Sequence, residues 1–227
     1  MATTRRLRYQ VAASLDGFIA GPQGEYDWIV MDPAIDFAAL YREFDTAVMG
    51  RKTYEIMTAQ GGTGAMRGLD VIVFSKTLPP AAVSGVRIVN QDAAEGVAAL
   101  KQKPGRDIWL FGGGRLFRSL LDAGLVDTVE VAVMPVLLGH GIPLLPPGSM
   151  AKLVFADQKM LPKSGIVMLS YSVHGAAASA PPIRYVKPTK RQAPKASASK
   201  RKIDPRSTSS RASRIRPSGA AKTRKRR

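Results

Sequence analysis

Three short runs in this sequence place glycine or hydroxyl residues directly after an apolar segment and next to a cation. They are Gly50-Arg51-Lys52-Thr53 behind Thr46–Met49, Ser75-Lys76-Thr77 behind Val71–Phe74, and Gly112-Gly113-Gly114-Arg115-Leu116 behind Ile108–Phe111. Each reads as the point where a buried strand ends in a helix or turn. A helix N-terminus presents unpaired N–H groups and the positive end of the helix dipole, so anions settle there. Arg51, Lys52 and Lys76 add charge, while Thr53, Ser75 and Thr77 add hydroxyls. Glycines let the backbone approach a pyrophosphate or a flat ring. Singly, each run is an ordinary tight turn; together, at strand ends of one sheet, they point to a nucleotide crevice. The glycine run is not the dinucleotide fingerprint, because Phe117 stands where G-x-G-x-x-G needs its last glycine.

Two carboxylates are candidates for proton transfer. Asp27 adjoins Trp28, a pairing suited to a flat heteroaromatic substrate, and Asp36 lies in the first turns of a predicted helix. Each also has a plain role, as an exposed turn residue or as a carboxylate facing the helix dipole. Asp32 reads as the N-cap of that helix with Pro33 at its first position, and Asp16 as a turn cap before Gly17. With no Cys and only His140 and His174, the chain predicts no metal centre, no disulfide and no thiol nucleophile.

The elements that hold these residues follow from hydrophobic period. Leu7–Ala13 alternates as a first strand, and Phe37, Leu40, Tyr41 and Phe44 form a helical stripe. Thr46–Met49, Val71–Phe74, Val86–Val89 and Ile108–Phe111 read as buried strands. Asp92 opens a helix ending before Pro104, and another helix runs to about Ala123 with Gly124 as its cap. Thr128–Val136, Leu153–Phe155 and Ile166–Val173 close the domain as strands. Strand–helix alternation followed by strands alone implies a largely parallel sheet with an antiparallel edge.

Charge divides the chain in two. Residues 1–175 carry 17 Lys and Arg against 16 Asp and Glu, whereas 176–227 carry 17 against Asp204 alone, a net of +16. That second stretch is almost wholly Ala, Ser, Pro, Lys and Arg, and has too little apolar surface to offset the entropy of ordering. The expectation is a neutral domain at 1–175 and a disordered basic tail at 176–227. No run of about 20 apolar residues and no export signal is present, so the reading is cytoplasmic.

Gly50–Thr53, Ser75-Lys76, Gly112–Gly114 and the order of elements resemble the dihydrofolate reductase superfamily. Ser14-Leu15-Asp16-Gly17 and Pro135-Val136-Leu137-Leu138-Gly139-His140-Gly141-Ile142-Pro143-Leu144 resemble its branch related to the reductase half of the riboflavin-biosynthesis deaminase-reductase. The resemblance covers about residues 6–174. It implies a three-layer α/β/α sandwich, a homodimer, and NADPH as hydride donor to a heteroaromatic or ribosylaminopyrimidine-type substrate. Carried over by position, Gly50, Arg51, Lys52 and Thr53 would hold the cofactor's phosphates. Ser75 and Lys76 would face the 2′-phosphate, and Gly112, Gly113, Gly114, Arg115 and Leu116 would line the pyrophosphate and nicotinamide. Ala12 and Ile19 would touch the nicotinamide. The acidic residue of dihydrofolate reductases has two counterparts here, Asp27 and Asp36. A competing expectation is a non-catalytic, reductase-like domain whose basic tail binds nucleic acid without sequence preference.

Overall fold

Short β-branched runs separated by glycine and capped helices build one large sheet with helices on both faces. The computed structural model describes residues 5–80 and 84–174, and the basic stretch 176–227 lies outside them. In chain order the strands and helices are β1 (Leu7–Ser14), β2 (Phe18–Ala20), α1 (Phe37–Arg42), β3 (Phe44–Gly50), α2 (Arg51–Ala59), β4 (Asp70–Phe74) and β5 (Val86–Val89). They continue as α3 (Ala93–Lys101), β6 (Asp107–Gly112), α4 (Gly114–Asp122), β7 (Thr128–Met134), β8 (Ile142–Pro143), β9 (Leu153–Leu161) and β10 (Ile166–Val173). The main sheet runs β5-β4-β3-β6-β1-β7-β10-β9, and β2 pairs with β8 separately. Pairings from β5 to β7 are parallel, while β10 is antiparallel to both β7 and β9.

Alternation along the strands splits the core. Leu7, Tyr9, Val48, Ile72, Ile108 and Leu110 face α3 and α4, which cover them with Val97, Leu116, Phe117 and Leu120. Ala47, Met49, Val71, Val73 and Trp109 face the opposite side, where Leu40 and Tyr41 of α1 and Tyr54 and Met57 of α2 pack. The result is the expected three-layer sandwich. Each fully buried Leu or Ile contributes roughly 1.5–3 kcal/mol, so these two clusters hold the layers together.

The structure corrects several sequence expectations. Asp32 closes a turn by accepting the Ala34 N–H at 2.8 Å, and the N-cap is Asp36, which accepts from Ala39 N–H at 2.8 Å. The helix ends at Arg42, so Phe44 is not on its stripe but opens β3, fully buried. Its ring stacks near Trp109 with centroids 5.2 Å apart and lies under the Arg8 guanidinium, and these contacts outweigh the local helical period. β9 extends six residues past Phe155, because the extra residue Ala156, opposite the Ser170–Tyr171 step, interrupts its alternation. The strands β2 and β8, which the hydrophobic period does not mark, are short and pair with each other.

β1 also differs from its reading as a strand with one apolar face. It is buried on both faces near its start, and Arg8 is only 1% exposed. The Arg8 guanidinium donates twice to Glu130, at 2.8 Å each, and also reaches Glu43 and Asp107. Burial alone pulls the Arg8 pKa down, but the Glu130 and Glu43 carboxylates outweigh it and leave the group charged.

Candidate functional site

Parallel pairing brings the three chemistry-bearing runs together. Gly50 pairs with Phe74, and Met49 with Gly112, so the C-terminal ends of β4, β3 and β6 lie side by side at one edge of the sheet. Gly50 caps α2 and Gly113 caps α4, and neither cap supplies a side-chain hydrogen bond to its helix. The first-turn N–H groups of both helices are therefore left to other partners. The glycine run itself is closely fitted. A Cβ on Gly113 would lie 3.2 Å from Thr53 Oγ1, and one on Gly114 only 2.8 Å from the Pro143 carbonyl oxygen.

Across the groove, Arg51 Nη1 donates to Thr77 Oγ1 at 3.1 Å, tying α2 to the turn after β4. Ser75 is buried, and its Oγ accepts from the N–H groups of Thr77 at 3.2 Å and Leu78 at 3.1 Å. That hydroxyl shapes the turn, and it is Lys76 that stands exposed at the mouth. Lys52 and Arg115 are also exposed, each in the first turn of its helix. The Leu116 side chain is in the core, 9% exposed, because α4 turns its apolar stripe to the sheet. Leu116 can offer a ligand its backbone N–H but not its side chain.

The crevice continues over β1. This strand has neighbours on both sides, so its residues reach solvent only through an opening in a covering layer. Gln10 and Ala12, which share the face turned away from α3 and α4, are half-buried, which places such an opening over the middle of β1 on that side. Ala12 packs against a cluster containing Trp28, Ile29 and Ile35. Ile19 is half-buried in β2. Beside it, the Ser14–Gly17 and Pro135–Leu144 runs form one unit. The Asp16 carboxylate accepts from the N–H groups of Leu138 at 3.1 Å and Gly139 at 2.7 Å, while Leu15 N–H donates to Val136 and Leu144 N–H to Gly17. The Ser14 hydroxyl, with help from those amides, holds Asp16 down at about 2. Asp16 is thus the tie between two loops that flank the crevice, a role the sequence reading had reduced to a turn cap.

Both proton-donor candidates are exposed. Asp27 is exposed in the turn before Trp28, whose Nε1 donates to the Glu25 carbonyl at 3.1 Å. Asp36 is exposed and occupied as the cap of α1. A separate cavity of about 400 Å³, lined by Leu121, Val126, Val173 and His174 among others, lies at the opposite end of the sheet and holds none of these groups. No helix of the described residues is long and apolar enough to cross a membrane.

Comparison with known proteins places these features in a family. Residues 5–164 match the model of the RibD C-terminal domain. YyaP of Bacillus subtilis (strain 168) is 34% identical over 151 residues, spanning 62% of this chain and 80% of that protein. The crystal structure of a putative riboflavin biosynthesis protein from Shewanella sp. PV-4 superposes with a TM-score of 0.65 at 25% identity, covering 74% of this chain and 98% of that one. Dihydrofolate reductase from Enterococcus faecalis, complexed with NADP(H), shares the fold with a TM-score of 0.56 at 19% identity, covering 74% and 96%.

Proposed function

The chain belongs to the RibD C-terminal domain family, a reductase family, and on that premise we propose an NADPH-dependent reductase of a small heteroaromatic or ribosylaminopyrimidine-type substrate. The observation that carries this reading is the pair of glycine-capped helix N-termini, α2 and α4, set side by side on β3 and β6. Two sets of unclaimed N–H groups suit a pyrophosphate, and the glycine cradle against Thr53 has the closeness that a bound dinucleotide needs. That a protein of the same fold holds NADP(H) supports a nicotinamide cofactor.

In this reading Gly50–Thr53 and Gly112–Leu116 hold the pyrophosphate through backbone N–H groups and the Thr53 hydroxyl. Lys76, with the turn that Ser75 shapes, selects the 2′-phosphate. Ala12 and Ile19 bound the nicotinamide. When bound, NADPH supplies the hydride. The chain's own contribution is positioning: the opening over β1 seats a flat substrate beside the cofactor pocket, and the Asp16-tied loops keep water out. A proton arrives from water or from one of the exposed carboxylates, Asp27 or Asp36.

The test is direct. Full-length protein is titrated with NADPH and with NADH, following energy transfer from the tryptophans and thermal stabilisation. NADPH oxidation is then followed with a panel of pterins and ribosylaminopyrimidines. Tight NADPH binding with turnover on one class supports the reading, and failure to bind either cofactor sinks it. A second reading draws on the +16 charge of residues 176–227. It makes the domain a non-catalytic module attached to a nucleic-acid-binding tail, and cofactor binding without turnover on any substrate favours it.

A further inference from the structure

Gln10 lies in the opening over β1 and pairs in register with Glu130 of β7. The Glu130 carboxylate, 2% exposed, takes four donors: Arg8 Nε, Arg8 Nη2 and the Thr128 hydroxyl at 2.8 Å each, and Gln10 Nε2 at 3.3 Å. An ionised carboxylate has no proton to give, so the Gln10 amide is oriented without ambiguity. Its nitrogen faces Glu130 and its oxygen is turned away. The Trp109 indole N–H donates to the Gln10 carbonyl at 3.2 Å and fixes the backbone beneath. Gln10 Oε1 is left as an acceptor shielded from water, with no donor among the described residues.

A structural duty does not account for that oxygen. The Gln10 bond is the longest of the four on Glu130, and three shorter ones satisfy the carboxylate without it. An apolar side chain of the same volume would fill the site and bury no unpaired group. Next along the same face, Ala12, Ala132 and Met168 form an apolar row. Gln10 itself is half-buried, and the last torsion of a glutamine is soft. Turning the amide gives up only the 3.3 Å contact and brings Oε1 to the opening.

We propose that Gln10 selects the substrate, by accepting a hydrogen bond from an amino or ring N–H group on a flat heteroaromatic body. The proposal rests on the reductase reading above and narrows it to aminated rings. A donor at that point satisfies the unpaired oxygen, whereas a carbonyl oxygen or a bare ring nitrogen would meet it acceptor to acceptor. The neighbouring apolar row suits the ring and offers no competing polar group.

Full-length protein saturated with NADPH is tested for binding of 2,4-diaminopteridine, which offers amino groups, and of 1,3-dimethyllumazine, which has no N–H. Calorimetry and thermal stabilisation give the affinities. The wild type should prefer the diamino compound by about tenfold or more. Gln10→Met keeps the volume and removes the acceptor, and should bring the two affinities within about threefold at unchanged NADPH affinity. Without ligand it should melt no lower than wild type, because Glu130 keeps three donors and a buried unpaired oxygen is gone. Gln10→Leu repeats the comparison in case the Met side chain packs badly. NADPH binding with no such preference, or with neither pteridine bound, overturns the inference and leaves the reductase reading standing. So does a preference unchanged in both variants, which shape alone would then explain, or a lowered melting point in both, which would make the amide structural. A wild type that binds no NADPH overturns the reductase reading and this inference together.

Discussion

Lys76 follows β4 and Asp16 follows β1, and the two residues are held in different ways. Lys76 is exposed in the turn after β4, and in the proposed reading it faces the cofactor's 2′-phosphate without supporting the fold. Lys76→Ala should therefore weaken NADPH binding and leave NADH binding nearly untouched. A charge-assisted contact is worth about 1.5–3 kcal/mol, or roughly 10- to 150-fold in Kd. Equal loss for both cofactors would remove Lys76 from the 2′-phosphate. Asp16 instead holds two loops together, and its carboxyl is lowered from an ordinary 3.8 to about 2. A depressed carboxylate contributes fully above its ordinary pKa and loses that contribution as the pH falls through its folded value. The loop tie should thus be constant from neutral pH down to about 4 and fail towards pH 2. Asp16→Asn should abolish that dependence and speed hydrogen exchange of the Leu138 and Gly139 amides at pH 7. Unchanged exchange would mean the loops are held by their backbone bonds alone. For proton transfer, Asp27→Asn and Asp36→Asn should each be compared for turnover at constant NADPH affinity. The variant that matters should lose rate at neutral pH and regain part of it in acid, whereas two normal variants would leave water as the donor.

At the scale of elements, the buried Arg8–Glu130 pair joins β1 to β7 in the middle of the sheet. Removing one partner of a buried pair leaves an uncompensated charge, which costs about 3–5 kcal/mol. Glu130→Ala should lower unfolding stability by that order in urea, somewhat less because Glu43 and Asp107 also reach Arg8. Arg8→Met with Glu130→Leu should recover most of the loss, and purely additive effects would show that the two groups do not act as a pair. This network also marks where the sequence stopped being informative. The three strand-end runs were legible because each sits within a few residues of an apolar strand and a helix start, signals that are local. Their adjacency depended on strand order, and only pairing reveals that Met49 meets Gly112. Arg8 was passed over and Asp16 was read only as a turn cap, because their partners lie over 100 residues away, at Glu130 and Leu138. Phe44 was misassigned because it satisfies a helical period and a strand equally, and tertiary contact with Trp109 decided between them. Ser75 and Leu116 were legible as positions but not as side chains, since burial turned one to the turn and the other to the core.

For the whole molecule, the main asymmetry is electrical. Residues 1–175 are close to neutral, whereas 176–227 carry 17 Lys and Arg against one Asp. A polycation joined to a neutral domain seeks polyanions, and we propose non-specific nucleic acid as the partner of this stretch. Tyr185 is its single aromatic residue, so it has almost no means of stacking on bases and gains its affinity from phosphates. Each phosphate contact releases a counterion, so affinity should fall steeply with salt. If about eight of the cations engage, the loss between 50 and 200 mM salt should be on the order of 10⁴-fold. Binding should be equal for unrelated DNA sequences of the same length. Deleting 176–227 should abolish retardation of DNA at low salt and leave melting temperature and NADPH affinity unchanged, because the core clusters and the crevice both lie within residues 7–173. Retardation that survives the deletion would place the site on the folded domain. Full-length protein that never retards DNA would assign the charge another partner, such as an anionic membrane surface. Loss of retardation with unchanged NADPH affinity would instead make the proposed reductase and its basic stretch separable parts, the second serving to concentrate the first on polyanions.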